Sequence, residues 1–109
     1  MTQAEIPIPE HLPEPGFYYH YKHDPNGPEN QAAYELIGTG WHTETGEFCS
    51  MYRPLYEGWA FSSHLTYLRP AEMFMDRVEK PEYQGPRFIK IDDAALVARL
   101  TAVRDQMYS

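Results

Sequence analysis

Arg53, Arg69 and Arg87 each stand beside a proline or an aromatic residue. A guanidinium grips a carboxylate or phosphate through two parallel hydrogen bonds. Two uses follow. Pairing with Glu44, Glu47 or Glu72 would pin strand ends; convergence of one or two arginines with His20 and His42 would hold a small anion. The stretch from His42 to Tyr56 concentrates the remaining chemistry, with His42, Glu44, Glu47, Cys49, Tyr52, Arg53 and Tyr56. His42-Thr43-Glu44 imitates the His-x-Glu half of a zinc deaminase signature, whose second half is Pro-Cys-x-x-Cys. Cys49 is the only cysteine, so that reading fails. His20, His23, His42 and Glu44 have metal-binding donors, but their irregular spacing is no ligand pattern, and no metal or cofactor is expected. Cys49 beside a histidine would be a minimal nucleophile and base. Set in a strand between Phe48 and Met51, it reads instead as a small packed hydrophobe.

The candidate site is therefore a surface formed by His20, Lys22, His42, Glu44, Tyr52, Arg53 and Arg69. It groups polar and aromatic residues near one hairpin without a complete catalytic set. That favours a binding or interaction module, with a protein or a small molecule as its partner. The competing reading is a small enzyme or metabolite-binding protein acting on an anionic ligand, with His42 as acid/base and Arg53 or Arg69 as anion clamp. Tyr18, Tyr21, Trp41, Tyr52 and Tyr56 either line a groove that attracts a cationic side chain or fill the interior.

These groups must be positioned by short strands. Phe17–Lys22 alternates, sending Phe17, Tyr19 and Tyr21 to one face and Tyr18, His20 and Lys22 to the other. Residues 23–30 are dense in turn formers and read as a loop. Ala33–Trp41 is a second strand, its Gly38 and Gly40 marking a bulge or a tight bend. Residues 42–47 form a hairpin connection in which Gly46 supplies positive φ. Phe48–Arg53 is a third strand, with Phe48, Ser50 and Tyr52 on one side, Cys49, Met51 and Arg53 on the other, and Pro54 ending its pairing. Trp59–Phe61 and His64–Leu68 read as two more strands about a Ser62-Ser63 turn.

Between Arg69 and Val78 the period changes. Pro70 suits a first helical position and Phe74 with Val78 makes an i, i+4 apolar pair, so a short helix is expected. Residues 79–86 read as loop and Arg87–Ile91 as a brief strand. Asp92 is a good N-cap for a final helix, whose Leu96, Leu100, Val103 and Met107 form one apolar stripe. That stripe covers the sheet, or alternatively pairs two copies as a homodimer.

The implied architecture is mainly β: a small SH3-like half-open barrel with a short helix and an added C-terminal helix, or alternatively an α+β roll. Residues 1–14 would be an extended or disordered arm, 15–91 the barrel domain, and 92–109 the helix packing on it.

The net charge of −7 is unevenly placed. Residues 1–47 carry eight acids against Lys22 alone, while residues 48–109 balance eight of each sign. With no Lys/Arg cluster to neutralise phosphates, nucleic acid is disfavoured as a partner. No stretch approaches the length of a membrane span, and no basic-then-apolar leader opens the chain. A single cysteine offers no intramolecular disulfide. The expected compartment is the cytoplasm.

Several pieces resemble one family as a set. They are Pro15-Gly16-Phe17-Tyr18 with His20-Tyr21-Lys22; Tyr34 through Gly38; His42-Thr43-Glu44-Thr45 with Glu47; Tyr52-Arg53 with Leu55-Tyr56; Arg69-Pro70 with Met73-Phe74; and Arg87-Phe88. In order and content they are similar to the small bacterial domain of unknown function 1653 family, over about residues 15–91. The resemblance implies a compact β-rich module without an assigned activity. Residues 57–68 look longer than the family's usual approach to Arg-Pro, and the helix from Asp92 looks like an addition to its core.

Overall fold

The structure is a computed structural model that describes residues 8–57 and 65–108. The strand expected at Trp59–Phe61, the Ser62-Ser63 turn, His64 and the first half of the N-terminal arm lie outside the described residues. Seven strands and two helices follow in order: β1 (Gly16–His20), β2 (Ala33–His42), β3 (Glu47–Pro54), β4 (Tyr67–Pro70), α1 (Ala71–Phe74), β5 (Arg77–Lys80), β6 (Tyr83–Pro86), β7 (Phe88–Lys90) and α2 (Ala94–Met107). Five strands make one curled antiparallel sheet in the order β4-β3-β2-β1-β7, a half-open barrel; β5 and β6 form a separate hairpin. The mainly β expectation with one short and one C-terminal helix holds.

Strand alternation gives the sheet two chemically different faces. Cross-strand register places Tyr18 beside Tyr34, Tyr34 beside Pro54, Leu36 beside Tyr52, and Tyr52 beside Tyr67 on one of them. There Tyr18, Leu36, Tyr52, Phe74 and Phe88 form a buried aromatic cluster. Phe74 arrives from α1 and stacks on Phe88, ring centroids 4.2 Å apart and planes 6° from parallel. This is the cleft face. The other, the helix face, carries Phe17 and Ala33. These pack with Leu55, Ile91 and Leu100 into a second cluster, against which Leu96, Val97 and Val103 of α2 lie. Leu100 is wholly buried, and burying a leucine contributes roughly 1.5–3 kcal/mol. The apolar stripe of α2 thus packs on its own sheet.

The bulge foreseen at the β2 glycines is present. Leu36 pairs with Tyr52 but Gly38 with Met51, so Ile37 is the additional residue. One extra residue exchanges the faces of everything beyond it. Thr39 and Trp41 therefore share the face of Leu36, while Gly40 and His42 turn to the other. The hairpin then closes through Gly46, at φ +70°, with the Gly46 amide donating to the His42 carbonyl at 2.8 Å.

Three expectations need correction. The helix after Pro70 lasts a single turn, Ala71–Phe74, and Val78 lies on β5 opposite Gly85 instead of completing a helical pair with Phe74. The stretch read as loop is mostly the β5–β6 hairpin, turning at Pro81-Glu82. Its Gly85 has a physical cause: a Cβ there would stand 2.7 Å from the Tyr83 hydroxyl oxygen, which donates to the Pro86 carbonyl. Finally, Asp93, not Asp92, caps α2, accepting from the Leu96 amide at 2.8 Å. No helix among the described residues is long and apolar enough to cross a membrane.

Candidate functional site

A cleft of about 770 Å³ opens on the cleft face. It is lined by His20 at the end of β1, Lys22, Gln31 and Ala32 from the following loop, Tyr34 of β2, Tyr52 of β3, Tyr56, Thr66, then Tyr67, Leu68 and Arg69 of β4, and Phe88 of β7. Aspartate and glutamate do not occur among its described lining residues. In a chain carrying −7, that local absence of carboxylates is a feature of the fold.

The aromatic floor is closely packed. Tyr52 meets Tyr34, Tyr67, Phe74 and Phe88 edge-on, with centroids 5.4–5.6 Å apart, the geometry favoured by ring quadrupoles. The hydroxyls of Tyr34 and Tyr56 hydrogen-bond at 2.5 Å. Burial, followed by that hydrogen bond, pushes the Tyr34 hydroxyl well above the usual tyrosine range, so it stays protonated.

The polar wall is cationic. The Arg69 guanidinium lies 5.6 Å from the Phe88 ring centre and its Nε donates to the Tyr52 hydroxyl at 3.3 Å. Among the described residues it meets no carboxylate. His20 packs edge-on against Phe88 at 5.3 Å, and its Nδ1 accepts from the Lys22 amide at 3.2 Å. Desolvation, then the charges of Arg69, Arg87, Lys22 and Lys80, lower its pKa to about 4. His20 is therefore a neutral imidazole and, with Nδ1 accepting, carries its proton on Nε2. Ala32, whose carbonyl accepts from the His20 amide at 2.9 Å, sits at φ +58°. A left-handed conformation is costly for alanine and persists only where its surroundings enforce it.

Of the seven residues assigned to a site from sequence, the cleft gathers His20, Lys22, Tyr52 and Arg69. His42, Glu44 and Arg53 lie elsewhere. The bulge turns His42 away, and its Nδ1 accepts from the Glu44 and Thr45 amides at 3.2 and 3.1 Å, closing the hairpin. Its ring borders a smaller apolar recess with Trp41, Cys49, Met51 and Leu68. Glu44 is exposed in the hairpin turn. Arg53 is on the helix face, bound through Nε to Glu35 at 2.8 Å and stacked 3.9 Å over the Tyr108 ring. Glu35 also accepts from Arg104 of α2 at 2.9 Å. Arg87 binds Asp76 at 2.7 Å. The arginine partners are thus Glu35 and Asp76, not Glu44, Glu47 or Glu72, because register sets Glu35 directly opposite Arg53. Cys49 is free and buried. No group of three or more His, Cys, Asp and Glu that could hold a metal occurs among the described residues.

Among the aromatics expected to line a groove, Tyr52 and Tyr56 do so. Tyr18 is packed in the cluster beneath, Tyr21 stacks on Tyr83 at 5.0 Å, and Trp41 packs on Phe48 at 4.8 Å. Tyr34, Tyr67 and Phe88 were missed. Their signal was cross-strand parity: each shares a face with Tyr18, His20 or Tyr52 once the strands are registered.

A family model described as a protein of unknown function, DUF1653, matches residues 16–90. Among solved structures, the crystal structure of a protein belonging to DUF1653 from Bordetella bronchiseptica is similar, at 26% identity and a TM-score of 0.56, covering 72% of this chain and 86% of that one. No curated protein matches. The helix α2 lies beyond the matched span.

Proposed function

The chain belongs to the DUF1653 family, whose activity is unassigned, and from that premise we propose that it is a binding module whose aromatic cleft takes an anionic group borne on an apolar or aromatic body. The observation that carries this reading is Arg69. Its guanidinium is half-buried over Phe88, meets no carboxylate among the described residues, and stands in a wall with Lys22 and His20 but no acid. A half-buried cation that meets no carboxylate among the described residues favours an incoming anion. The neutral His20 adds a donor without needing to be protonated. The rings of Tyr34, Tyr52, Tyr67 and Phe88 offer the body of the ligand apolar and edge-on contacts. The protein would act in the cytoplasm, consistent with its single, free cysteine.

The enzyme reading requires His42 beside an arginine-bound anion, and His42 faces the other side of the sheet. The test is a titration of the labelled full chain with benzoate and, as a control, benzamide, followed by amide and side-chain NMR shifts. Benzoate should shift Arg69, His20 and Tyr67 with a Kd of about millimolar, the range open to so small a ligand. Arg69→Gln should weaken it about tenfold. Equal binding of benzamide, or shifts centred on His42 and Arg53, would overturn the proposal.

A further inference from the structure

Arg69 is one member of a wider gathering of positive charge. His20 pairs directly with Phe88 across β1 and β7, and the Arg69 guanidinium stands 5.6 Å from the centre of the same Phe88 ring. Next to His20, the Tyr21 ring lies 4.6 Å away. Two ammonium groups attend that ring, Lys22 Nζ at 5.9 Å and Lys80 Nζ at 5.5 Å from its centre. Lys80 also donates to the Tyr21 hydroxyl at 2.9 Å. The charges of Arg69, Arg87, Lys22 and Lys80 all act on the His20 ring. Four of the nine basic residues of an acidic chain are thus felt by one imidazole.

Carboxylates offset only part of this charge. Asp76 binds Arg87 at 2.7 Å, and the charge of Glu82 acts on Lys80. Lys22 and Arg69 meet no carboxylate among the described residues. Residues 58–64, which lead into β4, contain neither aspartate nor glutamate, so that segment brings no acid to them.

This set of donors suits a particular anion. A carboxylate has one charge and two oxygens in a plane. A phosphate monoester has about 1.5 to 2 negative charges near neutral pH and three acceptor oxygens. The cleft offers three donor side chains from three places in the fold: Arg69 of β4, Lys22 of the loop after β1, and His20 at the end of β1. An arginine grips two phosphoryl oxygens as a fork, and a lysine acts on a phosphate as a point charge. The Arg69 Nε is engaged by Tyr52, so the grip falls to its terminal nitrogens. His20, with Nδ1 taken by the Lys22 amide, adds the hydrogen on Nε2. Lys80 is outside the lining and contributes through its field. The attraction to each cation is proportional to ligand charge, so a second charge doubles it.

Resting on the anion-binding reading above, we propose that the ligand of the cleft is a phosphate monoester borne on a flat ring. Its phosphoryl oxygens are held by Arg69, Lys22 and His20 within the field of Lys80, and its ring lies against Tyr52, Tyr67 and Phe88.

The probes are phenyl phosphate, phenyl sulfate, benzoate and inorganic phosphate, titrated into the labelled full chain and followed by NMR. Phenyl sulfate keeps the tetrahedral shape with a single charge. Phenyl phosphate should bind at least about tenfold tighter than each of the other three. Lys22→Gln and Lys80→Gln should each weaken phenyl phosphate by about the square of the factor by which they weaken benzoate, because attraction scales with ligand charge. The bond from the Lys22 amide to His20 is made by the main chain and survives Lys22→Gln, and an unchanged amide spectrum elsewhere verifies the fold of both variants. O-phosphotyrosine and uridine 5′-monophosphate separate an amino acid side chain from a nucleotide as the source. One of them should match or exceed phenyl phosphate, and failure of both overturns the proposal. Should phenyl phosphate bind no tighter than benzoate or phenyl sulfate, the doubly charged ligand is refuted and the anion site stands. Should inorganic phosphate bind as well as phenyl phosphate, the ring is refuted. Should no aromatic anion bind, both proposals fall.

Discussion

Arg53→Ala separates a structural arginine from a ligand-binding one. Arg53 donates from Nε and Nη2 to Glu35 Oε1, both at 2.8 Å, and stacks 3.9 Å above Tyr108. The Arg53 and Glu35 side chains are 25% and 13% exposed, so solvent screens the pair only partly. Hydrogen bonds to a charged group contribute roughly 1.5–3 kcal/mol, and a cation over a ring about 0.5–2 kcal/mol. Glu35 keeps Arg104 as a partner, so removing Arg53 leaves no orphaned buried charge, and the lower end of the combined range applies. The expected loss is about 2 kcal/mol, or about 10 °C in Tm for a chain of this size. Urea unfolding followed by tryptophan and tyrosine fluorescence should show the midpoint fall by about 1 M with an unchanged m-value. Benzoate binding in the cleft should be unaffected at temperatures where the variant is folded. A loss under about 0.5 kcal/mol together with lost binding would return Arg53 to the ligand site and refute its assignment to the β2–β3–α2 junction.

Leu100→Ala removes a fully buried side chain that joins α2 to Phe17, Ala33 and Leu55, and should cost about 3 kcal/mol by chemical denaturation; a loss below about 1 kcal/mol would mean that α2 is not part of the core. His20, held at about 4 in the folded protein against about 6.5 unfolded, is protonated first in the unfolded chain, so the stability it contributes is complete above about pH 6.5 and declines as pH falls toward 4. His20→Gln should flatten the unfolding midpoint between pH 6.5 and 4.5 relative to the parent, and identical slopes would contradict the depressed pKa. Ser50 is fully buried and its Oγ has no hydrogen-bond partner among the described residues, so Ser50→Ala should stabilise by about 1 kcal/mol; a loss of that size would reveal a partner for the hydroxyl. Gly46→Ala, at φ +70°, should destabilise by about 1 kcal/mol through left-handed strain, and an unchanged Tm would argue against that conformation.

The fold was legible where local pattern and packing agree. Alternation in β1 and β3, the Gly46 turn and the β2 bulge all follow from side-chain parity and glycine chemistry. The β5–β6 hairpin was not legible, because Pro81-Glu82 is not a characteristic hairpin turn and Val78 fits a helical spacing as well as a strand. The site was half legible. Parity within β3 already sends Tyr52 and Arg53 to opposite faces, so a surface holding both contradicts the pleat, and the structure keeps only Tyr52. His20 and Arg69 come from strands at opposite sides of the sheet, and their meeting depends on its curl, which no local pattern encodes. Glu35 gave no signal as a partner of Arg53, since pairing register across a bulged hairpin is a long-range property.

The extra residue at Ile37 has a consequence for what this strand can tolerate. Each residue beyond it keeps a fixed partner on β3, Thr39 with Ser50, Trp41 with Phe48 and His42 with Glu47. Losing Ile37 would therefore remove the irregularity and leave every later side chain on the face it now occupies. The bulge is thus a place where the chain can shed one letter without changing which groups stand beside Arg69.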